Sequence, residues 1–158
     1  MDVSLSELLE VLARELGWNL ASFALTGITS VLIMRVVFGL RLVDVVREVE
    51  EDHNAAVGAA FFTISLLSGL WFGKIGGDFT GESTVAEQIG WSIFGFVIAT
   101  AVFLTAFVLV FRVICHKRGE GVIPYLRREA IDENNAAMIL FIASLAVAPY
   151  TLAAMITV

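Results

Sequence analysis

Four long apolar segments constrain this chain more than any other feature of its sequence. Residues 18–40 carry one charge, Arg35, and residues 55–72, 91–111 and 136–158 carry none. Each segment is close to the roughly 17–25 residues with which a helix crosses about 30 Å of hydrocarbon. All four lack the alternation of a barrel strand and the polar stripe of a soluble helix. With 58 % hydrophobic residues, the sequence predicts an all-α integral membrane four-helix bundle.

The remaining segments predict how the chain is divided. In residues 1–16, leucines recur at helical spacing and Ser4 with Glu7 fits a capping box, which indicates an amphipathic helix on the membrane surface. The other predicted units are a first hairpin at 17–73 with spans of about 18–40 and 54–73, an outer loop at 74–90, and a second hairpin at 91–158 with spans of about 91–111 and 135–158.

The positions of lysine and arginine predict the orientation. Eight of the ten basic residues lie around the connections at 41–54 and 112–135. Short loops rich in these residues remain in the cytoplasm. We therefore expect both connections inside, and both termini and the outer loop outside the cytoplasm. Trp18 and Trp91 fall at the outer ends of their spans, where tryptophan is enriched at the membrane interface.

The chain contains an internal repeat of one hairpin. Residues 47–56 match residues 128–137 at a constant spacing of 81, and residues 17–19 match residues 90–92 at a spacing of 73. A unit with two crossings returns the chain to its starting side, so the two copies are expected to be parallel. The difference of eight residues indicates an insertion in the second cytoplasmic connection.

Acidic residues followed by Asn-Ala-Ala and an apolar helix occur at 54–56 and again at 135–137. This doubled pattern resembles the YjfL-like family of bacterial inner-membrane proteins. The resemblance implies four crossings in two hairpins and a location in the cell inner membrane. It implies no established activity, because the family is known chiefly as a domain of unknown function.

Carboxylates and amides beside the second and fourth spans are the strongest candidates for a functional site. They are Asp52, Asn54, Asp132, Glu133 and Asn135. They can cap helices that begin near residues 54 and 135. Repeated in an oligomer, they can instead form a ring that attracts cations at the cytoplasmic mouth. A third possibility is one continuous helix over residues 41–72, with Asn54 as a contact between helices.

One face of the first span is polar. Asn19, Ser22, Thr26 and Thr29 follow one another three and four residues apart. This spacing is typical of a face that packs against another helix, and it also fits a hydrated conduit. Arg35, the one charge well inside a span, can reach the cytoplasmic headgroups by snorkelling, or it can serve in gating or an ion pair.

No arrangement of side chains points to catalysis, so we expect no enzyme. His53 and His116 lack cysteine or histidine partners at ligand spacing, and no metal or cofactor site is predicted. The predicted function is that of a self-associating membrane protein that forms or gates a pathway for small ions or solutes. The alternative is a non-transporting anchor or signalling partner of a cytosolic protein. The lipid bilayer, and not nucleic acid, explains the basic loops.

Overall fold

The computed structural model describes residues 5–75, 85–115 and 119–156, and every regular element within these ranges is helical. The elements are α1 (Leu5–Ile33), a first π-helical turn (Met34–Phe38), α2 (Leu42–Glu50), α3 (Ala55–Ile75), α4 (Val85–Cys115), α5 (Val122–Arg127), a second π-helical turn (Arg128–Asp132) and α6 (Ala136–Ile156).

Within the described ranges, three helices are long and apolar enough to cross a membrane. Their candidate spans are Leu8–Phe38, Ala55–Gly73 and Gly90–Phe111. Helix α6 contributes a shorter apolar stretch, Ala136–Leu152. As a complete helix, α6 has 21 residues like α3, which corresponds to about 32 Å. The length and composition of these helices are those of a membrane-embedded protein.

The long helices are packed in a row. Helix α1 packs along α3, α3 along α6, and α6 along α4, with a smaller contact between α3 and α4. Helices α3 and α6 are therefore the inner pair, and α1 and α4 lie on the outside. The first turns of α3 can pack closely because Ala56, Val57 and Ala60 are small and almost completely buried.

Aromatic rings fill the space between the inner pair and α4. The Trp71 side chain is 1 % exposed, and its Nε1–H donates to the backbone carbonyl of Ser92 at 3.0 Å. Its ring meets the edges of Phe96 and Tyr150, with centroids 6.1 and 6.5 Å apart. These contacts fix α4 against α3 and α6, since large rings lose little conformational freedom when they pack.

The helix at the N-terminus is continuous with the first candidate span. A separate surface helix was expected to end at residue 16, but α1 runs from Leu5 to Ile33 without interruption at Gly17. A glycine in a helix costs about 1 kcal/mol relative to alanine, which is too little to end a helix flanked by good helix formers. The membrane-surface position of residues 5–16 stays a prediction, and Ser4 lies outside the described residues.

Two other bounds differ from those expected. Helix α4 begins at Val85, within the segment expected to form the 74–90 loop. The alternative of one helix over residues 41–72 is wrong, because α2 ends at Glu50 and α3 begins at Ala55. Between them, His53 has a φ of 52°, a backbone conformation that no helix can include.

Candidate functional site

Two loops of the same form lead into the inner helices. The first acid–Asn loop comprises residues 47–56, and the second acid–Asn loop comprises residues 128–137. In each loop a residue with left-handed backbone precedes an asparagine that begins the next helix. The left-handed residues are His53 (φ 52°) and Asn134 (φ 47°). Histidine and asparagine adopt this conformation more readily than most other residues.

Asn54 and Asn135 cap the inner helices. Oδ1 of Asn54 accepts hydrogen bonds from the backbone N–H groups of Ala56 and Val57, at 3.1 and 3.0 Å. Oδ1 of Asn135 accepts one from Met138 at 3.1 Å. The two asparagines thus satisfy N–H groups that have no partner inside their own helix.

The same asparagines also bind the preceding helix. Nδ2 of Asn54 donates to Oε2 of Glu48 at 3.1 Å, and Nδ2 of Asn135 donates to Oε2 of Glu129 at 2.7 Å. Their backbone N–H groups donate to the carbonyls of the same two glutamates, both at 2.8 Å. Glu48 and Glu129 were not among the candidate residues. The sequence signal was their matching positions in the two copies.

The two loops touch each other. Nδ2 of Asn54 donates to the carbonyl of Ile131 at 3.4 Å. In return, Oδ1 of Asn134 accepts a hydrogen bond from the backbone N–H of Ala56 at 3.0 Å. The start of α3 is therefore capped by one asparagine from each loop, and the loops form one hydrogen-bonded unit.

The carboxylates of the loops fall into two groups. Asp52, Asp132 and Glu133 are exposed, whereas Glu129 is only 2 % exposed. Glu129 lies beside Arg128, with Oε1 and Nη2 3.1 Å apart. The candidate amides are thus engaged in capping. Asp52 and Asp132 are exposed, and Glu133 is exposed but also forms an ion pair with Arg128.

Arg128 anchors the second acid–Asn loop. Its guanidinium forms ion pairs with Glu120, Glu129 and Glu133, and its central carbon lies 5.2 Å from the centre of the Tyr125 ring. Desolvation lowers the pKa of Arg128, but hydrogen bonds and charges from Glu120 and Glu129 raise it, and the net pKa is above its ordinary value. The guanidinium therefore stays charged and joins this loop to α5.

The polar face of α1 contacts α3. Ser22 donates from Oγ to the carbonyl of Phe72 at 3.1 Å, and Thr26 donates to the carbonyl of Ser22 at 2.8 Å. A Cβ added to Gly69 would lie 3.6 Å from Cγ2 of Thr26. Close approach of the two helices accounts for this part of the face.

The other polar residues of α1 differ from one another in burial. Ser30 is fully buried and accepts a hydrogen bond from Ser65 of α3, with the two hydroxyl oxygens 3.1 Å apart. Thr29 is half-buried and Asn19 is exposed. Within the described part of the chain, neither Thr29 nor Asn19 forms a side-chain hydrogen bond.

Two arginines lie near the end of α1. Arg35 is exposed in the first π-helical turn. Arg127 donates from Nε to the carbonyl of Val37 at 2.8 Å and from Nη2 to that of Val36 at 3.3 Å. These carbonyls lie at the negative end of the helix dipole, which a cation stabilises. Sequence reasoning placed Arg127 only among the cytoplasmic basic residues, because a contact across 90 residues leaves no local pattern.

A cleft of about 480 Å³ lies among the helices. Its walls come from the end of α1, from α3, α4 and α6, and from α5 at one end. Almost every lining side chain is apolar, and the few hydroxyl groups include the hydrogen-bonded pair of Thr100 and Tyr150, 2.7 Å apart. Such a cleft accepts apolar molecules and excludes ions.

Among the described residues, no three histidine, cysteine, aspartate or glutamate side chains are grouped to hold a metal ion. No protein-family profile, curated protein or solved structure matches the chain. The YjfL-like family therefore remains a resemblance carried by the two Asn-Ala-Ala motifs.

Proposed function

We propose that the chain is a four-span inner-membrane protein built from two parallel copies of a helical hairpin, with both termini outside the cytoplasm. Helix α6 supplies the fourth span, since its length equals that of α3 and residues 136–158 carry no charge. The repeat is supported by the equivalent hydrogen bonds of Asn54 and Asn135, which recur at the 81-residue spacing. The distribution of lysine and arginine supports the orientation.

Within the membrane, we propose that the protein is a non-transporting anchor that presents its two docked acid–Asn loops to a cytosolic partner. The observation that carries this proposal is that the side-chain amides of Asn54 and Asn135 both act as helix caps. Asn54 and Asn135 cap α3 and α6, so they are not available to line a channel mouth. The exposed carboxylates of Asp52 and Asp132 form no ion pair among the described residues and remain available to a basic surface of a partner.

In-cell crosslinking tests this function. A photo-crosslinking amino acid at Glu51 or Asp132, both exposed, is expected to capture a cytosolic protein. The same amino acid at exposed Glu15 of α1 is the control, because it lies on the other predicted side of the membrane. With the crosslinking amino acid at Glu51, a charge-reversed D52K/D132K variant is expected to lose the adduct. Adducts only between copies of this chain would contradict the anchor proposal.

A second candidate function is a pathway for small ions between self-associated copies. Asn19 favours it. Its amide is exposed at the start of a span and has no side-chain partner among the described residues, so it gains from contact with another copy or with water. Purified protein in liposomes is then expected to conduct ions, with the flux reduced by N19L and unchanged by A101L at another exposed position. Vesicles that show no ion flux across a range of voltages and ions would exclude this candidate function.

A further inference from the structure

The apolar cleft opens on the side of the bundle. Leu32 of α1, Val36 of the first π-helical turn and Leu104 of α4 all line it, yet they are 55, 66 and 48 % exposed. Its floor is formed by the inner helices, where Ala146 is 4 % exposed. The opening therefore lies between the two outer helices. If the helices cross a bilayer as proposed above, this opening faces hydrocarbon.

One end of the cleft carries positive charge that no carboxylate neutralises among the described residues. Arg127 binds the carbonyls of Val36 and Val37, two residues that line the cleft. Two of its five N–H donors are engaged there. Arg35 adjoins Val36. Among the described residues, neither arginine forms an ion pair with a carboxylate.

We propose that the cleft is a binding site for an anionic phospholipid of the cytoplasmic leaflet, with one acyl chain in the cleft and the phosphate on Arg127. Such a lipid brings an apolar chain and a negative charge in one molecule. This matches an apolar cleft beside a guanidinium that forms no ion pair among the described residues. A helix from a second copy fits less well, because residues 55–72, 91–111 and 136–158 contain no carboxylate for Arg127.

Lipid binding to the purified full-length chain tests the site. In native mass spectrometry, delipidated protein is expected to retain phosphatidylglycerol at least several-fold better than phosphatidylcholine. A143F, which fills the cleft, is expected to abolish this retention. A148F is the matched control, because Ala148 lies on the exposed side of α6 and does not line the cleft. Equal retention by A143F and A148F would overturn the proposal.

The charge of the headgroup is tested separately. R127Q is expected to remove the preference for phosphatidylglycerol while leaving acyl-chain binding. R47Q is the control, since Arg47 is an exposed arginine of α2 that does not adjoin the cleft. An unchanged preference in R127Q, or the same loss in R47Q, would show that the phosphate does not bind at Arg127.

Fluorescence provides a readout that does not require a bulky substitution in the cleft. Trp71 is 1 % exposed, but it packs on Phe96 and Tyr150, which line the cleft. In a W18F/W91F variant, phospholipids with brominated acyl chains are expected to quench Trp71. No quenching, or cysteine crosslinks between copies through V36C and L104C, would overturn the lipid site. A chain that maps to four spans but gives these results leaves the membrane proposal intact.

Discussion

Asn54 joins two helices and the opposite loop through one side chain. Its Oδ1 caps α3, and its Nδ2 binds Glu48 and the carbonyl of Ile131. N54A removes all of these contacts, and we expect it to lower the free energy of unfolding by about 1–2 kcal/mol. N54S keeps a cap oxygen and is expected to lose less. Unfolding in detergent, followed by circular dichroism, measures both variants.

The control for N54A is N19A, since the Asn19 side chain is exposed and forms no side-chain hydrogen bond within the described part of the chain. N19A is expected to change the free energy of unfolding by no more than about 0.5 kcal/mol. If N54A and N19A unfold alike, the cap and its contacts do not stabilise the fold.

Variants at His53 and Asn134 distinguish the effect of backbone geometry on stability from the effect of contact between the loops. Both have positive φ, but only Asn134 reaches the other loop, through its bond from Ala56. N134G keeps the left-handed backbone and loses that bond, so we expect it to be less stable by about 1 kcal/mol than H53G. Melting temperatures of the two variants in the same detergent make the comparison. A more stable N134G would contradict docking of the loops.

At the scale of elements, the packing of α1 on α3 depends on Gly69. A side chain at this position meets Thr26, so G69L forces the two helices apart. We expect a loss of about 1–3 kcal/mol from overpacking. G73L is the matched control on the same helix, because nothing lies within 4 Å of a Cβ there.

The distance between α1 and α3 can be tested separately by the rate of disulfide formation. Ser30 and Ser65 are in hydroxyl contact, so S30C/S65C in a C115S background is expected to form a disulfide. G69L is expected to slow that disulfide and G73L to leave it unchanged. A disulfide that forms equally fast with G69L would show that the helices do not approach through this glycine.

Helix content could be predicted from the sequence because long apolar segments leave few other structures. The sequence allowed both a helix that begins near residue 54 and one continuous helix over residues 41–72, and it could not decide between them. Residues 51–54 contain neither glycine nor proline, and the turn depends on His53 in a left-handed conformation followed by the Asn54 cap. The asparagines could be identified as candidates because they recur, but their contacts with Glu48, Glu129 and Ile131 depend on how the helices pack.

At the scale of the whole molecule, the two ends of the bundle differ. At one end, the loops, α2 and α5 hold polar residues in a dense set of hydrogen bonds and ion pairs. Toward the other end, α1 has 29 residues and a length of about 44 Å, which exceeds the roughly 30 Å of hydrocarbon. The leucines of residues 5–16 are exposed on this additional length. Ordered structure at one end and a long apolar helix at the other fit a protein that faces two different environments.

The number of spans is the prediction that tests this arrangement most directly. If α6 crosses the membrane, tags on both tails are expected to be digested by protease added to intact spheroplasts. Cysteines that replace Glu51 or Asp132, in a C115S background, are expected to react with an impermeant maleimide only after lysis. The exposed residue Glu15, changed to cysteine, is the control and is expected to react before lysis. A protected C-terminal tag beside a digested N-terminal tag would mean three spans, with α6 packed against α3 and α4 from the cytoplasmic side. The row of helices argues against that outcome, because α6 contacts both α3 and α4 extensively.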